Sequence, residues 1–136
     1  MSDNFTLDEY RQILSGARQS RRFVAFDDLQ DSAEMCVLWR HDVDASLRSA
    51  VQLAEVDHDH GVLSTFFINI HSDTYNARSR VCRSQAADII AMGHRIGIHL
   101  DAAYYGHFET QSTLERVRLE KALPRNQSSG SLPESI

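Results

Sequence analysis

Met35-Cys36-Val37-Leu38-Trp39-Arg40-His41-Asp42-Val43-Asp44 is the stretch on which the reading of this chain turns. Its first five residues are nearly all apolar, the pattern of a strand buried on both faces of a parallel sheet. Its last five hold two carboxylates, an imidazole and a guanidinium, so reactive groups gather where that strand should end. Downstream the same alternation continues. Residues 46–60 predict a helix with Leu47, Ala50, Val51 and Ala54 on one face and Gly61 as its C′ residue. A strand follows at 62–70, a loop at 71–76, a helix at 79–92 ended by Gly93, and a strand at 95–100. Upstream, residues 7–19 carry a helical stripe behind Thr6 as N-cap, with Asp8 and Glu9 in the first turn, and a strand fits 22–26. A last helix fits 110–123. Strands alternating with helices predict right-handed βαβ units and a parallel α/β sheet.

The 136 residues carry 14 Lys+Arg against 19 Asp+Glu, a net charge of -5. An acidic balance argues against general nucleic-acid binding, which needs a basic patch. With 42% hydrophobic and 24% charged residues, the composition is that of a globular chain. No apolar run reaches the ~18 residues of a membrane span, and residues 1–6 do not read as a signal peptide, so a cytoplasmic location is expected. Cys36 and Cys82 form no Cys-x-x-Cys pair, and both are expected reduced and mostly buried. The domain is read as residues 1–123, followed by a disordered Ser-rich tail at 124–136 that holds both prolines.

In parallel α/β folds the working residues lie at the carboxyl ends of strands. That rule collects His41, Asp42 and Asp44 after the second strand, His71 after the third, and His99 with Asp101 after the fourth. Carboxylates with imidazoles are the ligand set of a divalent metal such as zinc, and a further carboxylate beside it could act as general base. Plainer readings stand beside this one. His41 fits a structural ion pair, Asp44 fits an N-cap of the next helix, His58 and His60 fit a solvated helix end, and His94 fits a structural role.

Three segments together, residues 38–44, 61–76 and 93–101, resemble polysaccharide deacetylase-like proteins of the NodB-homology superfamily, related to carbohydrate esterase family four. Arg40-His41-Asp42-Val43-Asp44 stands where typical members have Thr-Phe-Asp-Asp-Gly. The resemblance implies a distorted (β/α) barrel with a metal at the strand ends. It also implies hydrolysis of an N-acetyl group, or another C–N bond, on a carbohydrate or related small molecule. It assigns Asp42 as base and Asp44 and His99 as metal ligands. Phe26-Asp27-Asp28 has a superficial likeness to the first motif, but its place upstream makes it a decoy, read as a capped turn.

Two departures follow. Ala103 occupies the position of the family's second ligand histidine, which leaves Asp101 or His71 as the third ligand. The later family segments, which carry an arginine that orients the base and a histidine that acts as acid, have no counterpart. The expectation is therefore a partial barrel resembling the amino-terminal half of the domain, with little turnover of its own. His71 or His107 would stand in for the acid. A catalytically dead remnant that binds a metal or a partner is the alternative. Half a barrel would leave apolar surface, including Phe66 and Phe67, to be covered by a second copy or another chain.

Overall fold

Helix α1 (Leu7–Ser20) begins where the sequence places its cap. The Thr6 hydroxyl accepts from the Glu9 N–H at 3.2 Å, and the Glu9 carboxylate accepts in return from the Thr6 N–H at 2.7 Å. This reciprocal box satisfies two of the amide groups a helix start leaves unpaired. The computed structural model describes residues 5–29 and 34–105, with Glu115 and Arg118. Of the helix expected at 110–123 only those last two residues are described. His107 and the expected tail at 124–136 lie outside the described residues.

Strand β1 (Arg22–Phe23) is shorter than the five residues expected, because the chain turns after Ala25 into a 3₁₀ turn, Phe26–Asp28. β1 pairs in parallel with β2 (Cys36–Val37). The apolar run at 35–39 is not one doubly buried strand. Met35 is 72% exposed, Cys36 and Val37 are half-buried, and the strand breaks at Leu38. Among the described residues its partner in that small sheet is a two-residue strand, which cannot cover it. The chain then re-enters extended structure as β3 (Trp39–Val43), which runs straight through the polar motif.

Helix α2 (Leu47–Asp59) is capped by Ser46, whose hydroxyl accepts from the Ser49 N–H at 3.3 Å, so Asp44 is not the N-cap. Strand β4 (Ser64–Asn69), helix α3 (Arg80–Ala91) and strand β5 (Arg95–His99) follow. Both central helices end in a glycine with positive φ, Gly61 at 63° and Gly93 at 93°, a backbone shape that side chains with a Cβ rarely take.

β3, β4 and β5 form a three-stranded sheet in that order, with both pairings parallel. Because side chains alternate along a strand, the register sorts them into two faces. One face carries His41, Val43, Ser64, Phe66, Ile68 and Ile96. It is packed by α2 and α3 into a core with Leu47, Ala50, Ala54, Cys82 and Ile89. The opposite face carries Arg40, Asp42, Thr65, Phe67, Asn69, Arg95, Gly97 and His99. α1 adds a second small core in which Tyr10 and Leu14 meet Val56 and Val62. This is a parallel α/β sheet with helices, and among the described residues it closes no barrel.

The burial of Phe66 overturns one expectation. Its ring is fully buried under the helices, stacked on His41 with centroids 4.5 Å apart. Phe67, one residue on, faces the other way and is half-buried between Arg40 and Phe26. The pair is therefore not an uncovered apolar surface. Cys82 is buried and Cys36 half-buried, both as free thiols. Among the described residues no helix is long and apolar enough to cross a membrane.

The chain divides into two compact units, Met1–Leu100 and Asp101–Ile136. In the second, Asp101 precedes the short helix α4 (Ala102–Tyr105).

Candidate active site

The candidate residues sort by the pleat of β3. His41 and Asp42 lie inside the strand rather than after it, so their side chains leave on opposite faces. This corrects the expectation that His41 joins the carboxylates on one rim.

On the open face the last rungs of the sheet bring three expected residues together. His99 ends β5, and its Nδ1–H donates to Asp44 Oδ1 at 2.7 Å. Its Nε2 stands 3.9 Å from Asp42 Oδ2. The imidazole thus lies between two carboxylates, one nitrogen towards each. Asp42 itself is held by a different partner: Arg40, two residues earlier on the same face, donates from Nε to Asp42 Oδ1 at 2.5 Å. The guanidinium carbon of Arg40 sits 4.2 Å from the centre of the Phe67 ring, a cation–π contact. Phe67 lies low enough to receive it because its neighbour in register is Gly97. A Cβ at that position would come within 2.6 Å of the ring.

The loop after β4 fixes the backbone that carries Asp44. Ser72 Oγ and Thr74 Oγ1 both donate to the Asp44 carbonyl, at 3.0 and 2.8 Å. Tyr75 bridges the ends of two strands, donating to the Val43 carbonyl at 2.5 Å and accepting from the Asn69 N–H at 3.0 Å. Burial pushes the Tyr75 phenol up to about 12, so the bridge stays protonated at neutral pH. His71 places its N–H on Asn69 Oδ1 at 2.9 Å. Asp101 lies in the second unit, where its Oδ1 accepts from the N–H groups of Ala103 and Tyr104 at 3.0 and 3.3 Å, capping α4.

Among the described residues no group of three His, Cys, Asp or Glu side chains is placed to hold a metal ion. The donor chemistry still fits one in part. Asp44 and His99 offer a carboxylate oxygen and an imidazole nitrogen side by side, two ligands of the type zinc takes. Asp42, turned to Arg40, stands beside that pair as a separate carboxylate.

The helix side of the sheet holds a polar cluster that sequence reasoning missed. Asp57 of α2 is fully buried and accepts three hydrogen bonds. The Tyr10 hydroxyl donates at 2.5 Å, His41 Nε2 at 2.8 Å, and the Ser64 hydroxyl donates as well. Trp39 Nε1–H donates to the Tyr10 oxygen at 2.9 Å. Burial first, and then the bond to Asp57, push the Tyr10 phenol far above its ordinary value. His41 is thus the structural ion-pair member that the plainer reading described, with Asp57 rather than Arg40 or Asp42 as partner. His94 is structural too: Nδ1 accepts from the Ser64 N–H at 3.3 Å and Nε2 donates to the Ala54 carbonyl at 2.9 Å. The signal for Asp57 was present in its spacing, since Leu47, Ala50, Ala54 and Asp57 continue one helical stripe. A carboxylate on an apolar stripe needs a buried partner.

His58 is exposed with Nδ1 3.0 Å from the Met92 carbonyl, and His60 places Nδ1 2.7 Å from the Val56 carbonyl. Asp27 and Asp28 lie 3.4 and 3.3 Å from the Arg95 guanidinium, away from the Asp44–His99 pair in the register of the sheet.

Comparison of the chain with protein families, curated proteins and solved structures found no match.

Proposed function

We propose that the chain is a metal-dependent hydrolase of the polysaccharide deacetylase-like, NodB-homology type, acting on an N-acetyl or other C–N bond of a carbohydrate or related small molecule. One observation carries the reading: Asp42, Asp44 and His99 share the open face at the carboxyl ends of parallel strands, with Asp44 and His99 in contact. The split of partners matches the split of roles. Asp44 and His99 would hold a divalent ion such as zinc, and Asp42, held by Arg40, would take a proton as general base. When bound, such an ion polarises an amide carbonyl and supplies an acidified water. The strapped Asp44 carbonyl and the Tyr75 bridge keep both strand ends in place without the ligand's help. The reading also includes association with a second copy or another chain, because β5 pairs on one side only among the described residues.

Zinc titration by calorimetry tests the site. Asp44→Ala and His99→Ala should each weaken zinc binding by at least ~10-fold, while His58→Ala should leave it unchanged. Equal binding in all three variants would remove the assignment. Acetate release from N-acetylated chito-oligosaccharides then tests the chemistry. Asp42→Asn keeps the shape and removes the proton acceptor, so any zinc-dependent rate should fall by ~10²–10⁴ with zinc affinity largely kept.

A further inference from the structure

The amino end of the open face holds a polar group without a use. Thr65, on the central strand, is 5% exposed, and among the described residues its hydroxyl has no hydrogen-bond partner. A buried hydroxyl left in that state is destabilising, and native proteins keep few of them. The register sets Thr65 between two cations. Arg40 of β3 and Arg95 of β5 are its partners on either side, in one row across the sheet. Neighbouring strands lie ~4.8 Å apart, so the row carries two guanidinium groups rooted about 10 Å from each other with the hydroxyl midway.

Each arginine holds a carboxylate of the chain itself. Arg40 engages Asp42 through Nε, one of its five N–H donors. Arg95 reaches Asp27 and Asp28 of the 3₁₀ turn at 3.4 and 3.3 Å. Those two carboxylates are 67% and 54% exposed, and ion pairs so long and so exposed hold weakly. No residue of the turn is buried, and its N-cap, Ala25, supplies no side-chain bond. Asp27 and Asp28 also line a cavity of about 450 Å³ with Arg22, Phe23, Val24 and Leu63. Leu63 stands two residues before Thr65, so the cavity adjoins the row.

We infer that the Arg40–Thr65–Arg95 row is a binding site for a phosphate group, and that Asp27 and Asp28 occupy Arg95 as internal competitors for it. The donors select the ligand. Two guanidinium groups and a hydroxyl ask for three acceptor oxygens, which a phosphate group has and a carboxylate does not. Planar guanidinium forks also match phosphate oxygens in pairs. The ligand displaces the two carboxylates of the turn, and the Thr65 hydroxyl gains the partner it lacks. The adjoining cavity has the size of a small-molecule site and takes the rest of a phosphorylated small molecule. The row lies four residues, ~13 Å, along β4 from the rung that pairs Asn69 with His99. None of its members is a proposed metal ligand or base, so the inference stands apart from the metal reading. With a net charge of -5 the chain attracts anions poorly in general, so saturable binding reports a built site.

Calorimetric titrations of the whole chain at pH 7.5 and fixed ionic strength test it, with inorganic phosphate and glucose 6-phosphate as probes. Wild type should bind at least one of them saturably and should bind acetate far more weakly. Arg95→Met and Thr65→Val should each weaken phosphate binding by ~10-fold or more, as the loss of a hydrogen bond to a charged group does. Arg11→Met, which removes an exposed arginine of α1, should leave it unchanged. Asp27→Asn combined with Asp28→Asn removes the competitors and should tighten binding by about 10-fold, the sum of two exposed ion pairs. Thr65→Val has a second readout. Valine keeps the shape and deletes the unpartnered hydroxyl, so the urea midpoint should rise while phosphate binding falls. A threonine with a merely structural role would lower the midpoint instead.

Tighter binding of the ester than of inorganic phosphate assigns the cavity to the sugar, and the reverse order assigns the row to the free anion; both support the site. The inference is overturned if neither probe binds wild type or the Asp27/Asp28 double variant, or if acetate binds as tightly as phosphate. Undiminished binding by Thr65→Val, or a fall in its urea midpoint, overturns it as well. Binding no tighter in the double variant removes the competing role of the turn. Each of these failures leaves the Asp44–His99 reading where it stands, because zinc titration tests different residues.

Discussion

Asp57 is fully buried, and Tyr10, His41 and Ser64 each turn a donor to it. Removing a carboxylate so surrounded leaves three buried donors without their acceptor. Asp57→Ala should therefore lower the stability to urea by ~3–5 kcal/mol, whereas Tyr10→Phe, which keeps the ring but removes one donor to Asp57 and the acceptor of Trp39 Nε1–H, should cost about 1–2 kcal/mol. Equal small effects would mean that water reaches the cluster. His94 adds a pH dependence. Burial lowers its pKa below the usual histidine value, and the accepting Nδ1 leaves no room for a second proton there. A depressed histidine pKa means that the unfolded chain takes up the proton first. Stability should be fully present above about pH 6.5 and should fall as pH drops below it, by up to ~1.4 kcal/mol per pH unit. Urea midpoints at pH 7.5 and 5.5 should differ clearly in wild type and differ less in His94→Gln.

At the scale of elements, β3 does two jobs with one alternation. Trp39, His41 and Val43 face one way, and His41 ties the strand to α2 through Asp57. Arg40 and Asp42 face the other way and supply the open face. β5 repeats the division, with Ile96 packed against the core and Gly97 and His99 on the far side. Gly97 is the position where an element and the site meet. Gly97→Ala would place a methyl group within 2.6 Å of Phe67 and force the ring, and Arg40 above it, to move. The variant should lose ~1–3 kcal/mol of stability, as overpacked positions do. An unchanged urea midpoint would show that Phe67 is not held where it lies. Much of this level was legible in the sequence. The helix cap at Thr6 and the glycine stops at 61 and 93 depend on residues within a few positions of each other, so local pattern suffices to find them. Ser46 and Ser79 are caps where the sequence has helices begin, and Ser46 takes the capping place that the sequence reading offers to Asp44. The extension of β3 through Val43 was not legible, because polar residues do not announce a strand. It is the parallel pairing with Phe66, Phe67 and Ile68 of β4 that keeps His41, Asp42 and Val43 extended.

For the molecule as a whole, the edge of β5, a strand with one partner among the described residues, has the clearest consequence. A strand with one partner presents a row of unpaired backbone groups, which other chains can use. Light scattering at micromolar concentration should show a dimer or larger species. A cooperatively unfolding monomer at the same concentration would mean that this edge is satisfied within the chain.

The alternation of apolar strands with capped amphipathic helices determined the α/β class by itself, since period and end signals are properties of the chain read locally. The sequence also named Asp42, Asp44 and His99, because a parallel sheet puts strand ends on one side whatever its details. Which face each side chain takes was decided only by tertiary structure. A strand's faces depend on where pairing begins and ends, and moving a boundary by one residue exchanges them. So His41, adjacent to Asp42 in the chain, is buried against Asp57 from a different helix, while Asp42 lies on the opposite face near His99, 57 positions further on. The Asp57 cluster and the Arg40–Phe67–Gly97 stack have the same origin. Each joins residues from separate elements, and only the closing of the sheet under its helices brings them within reach.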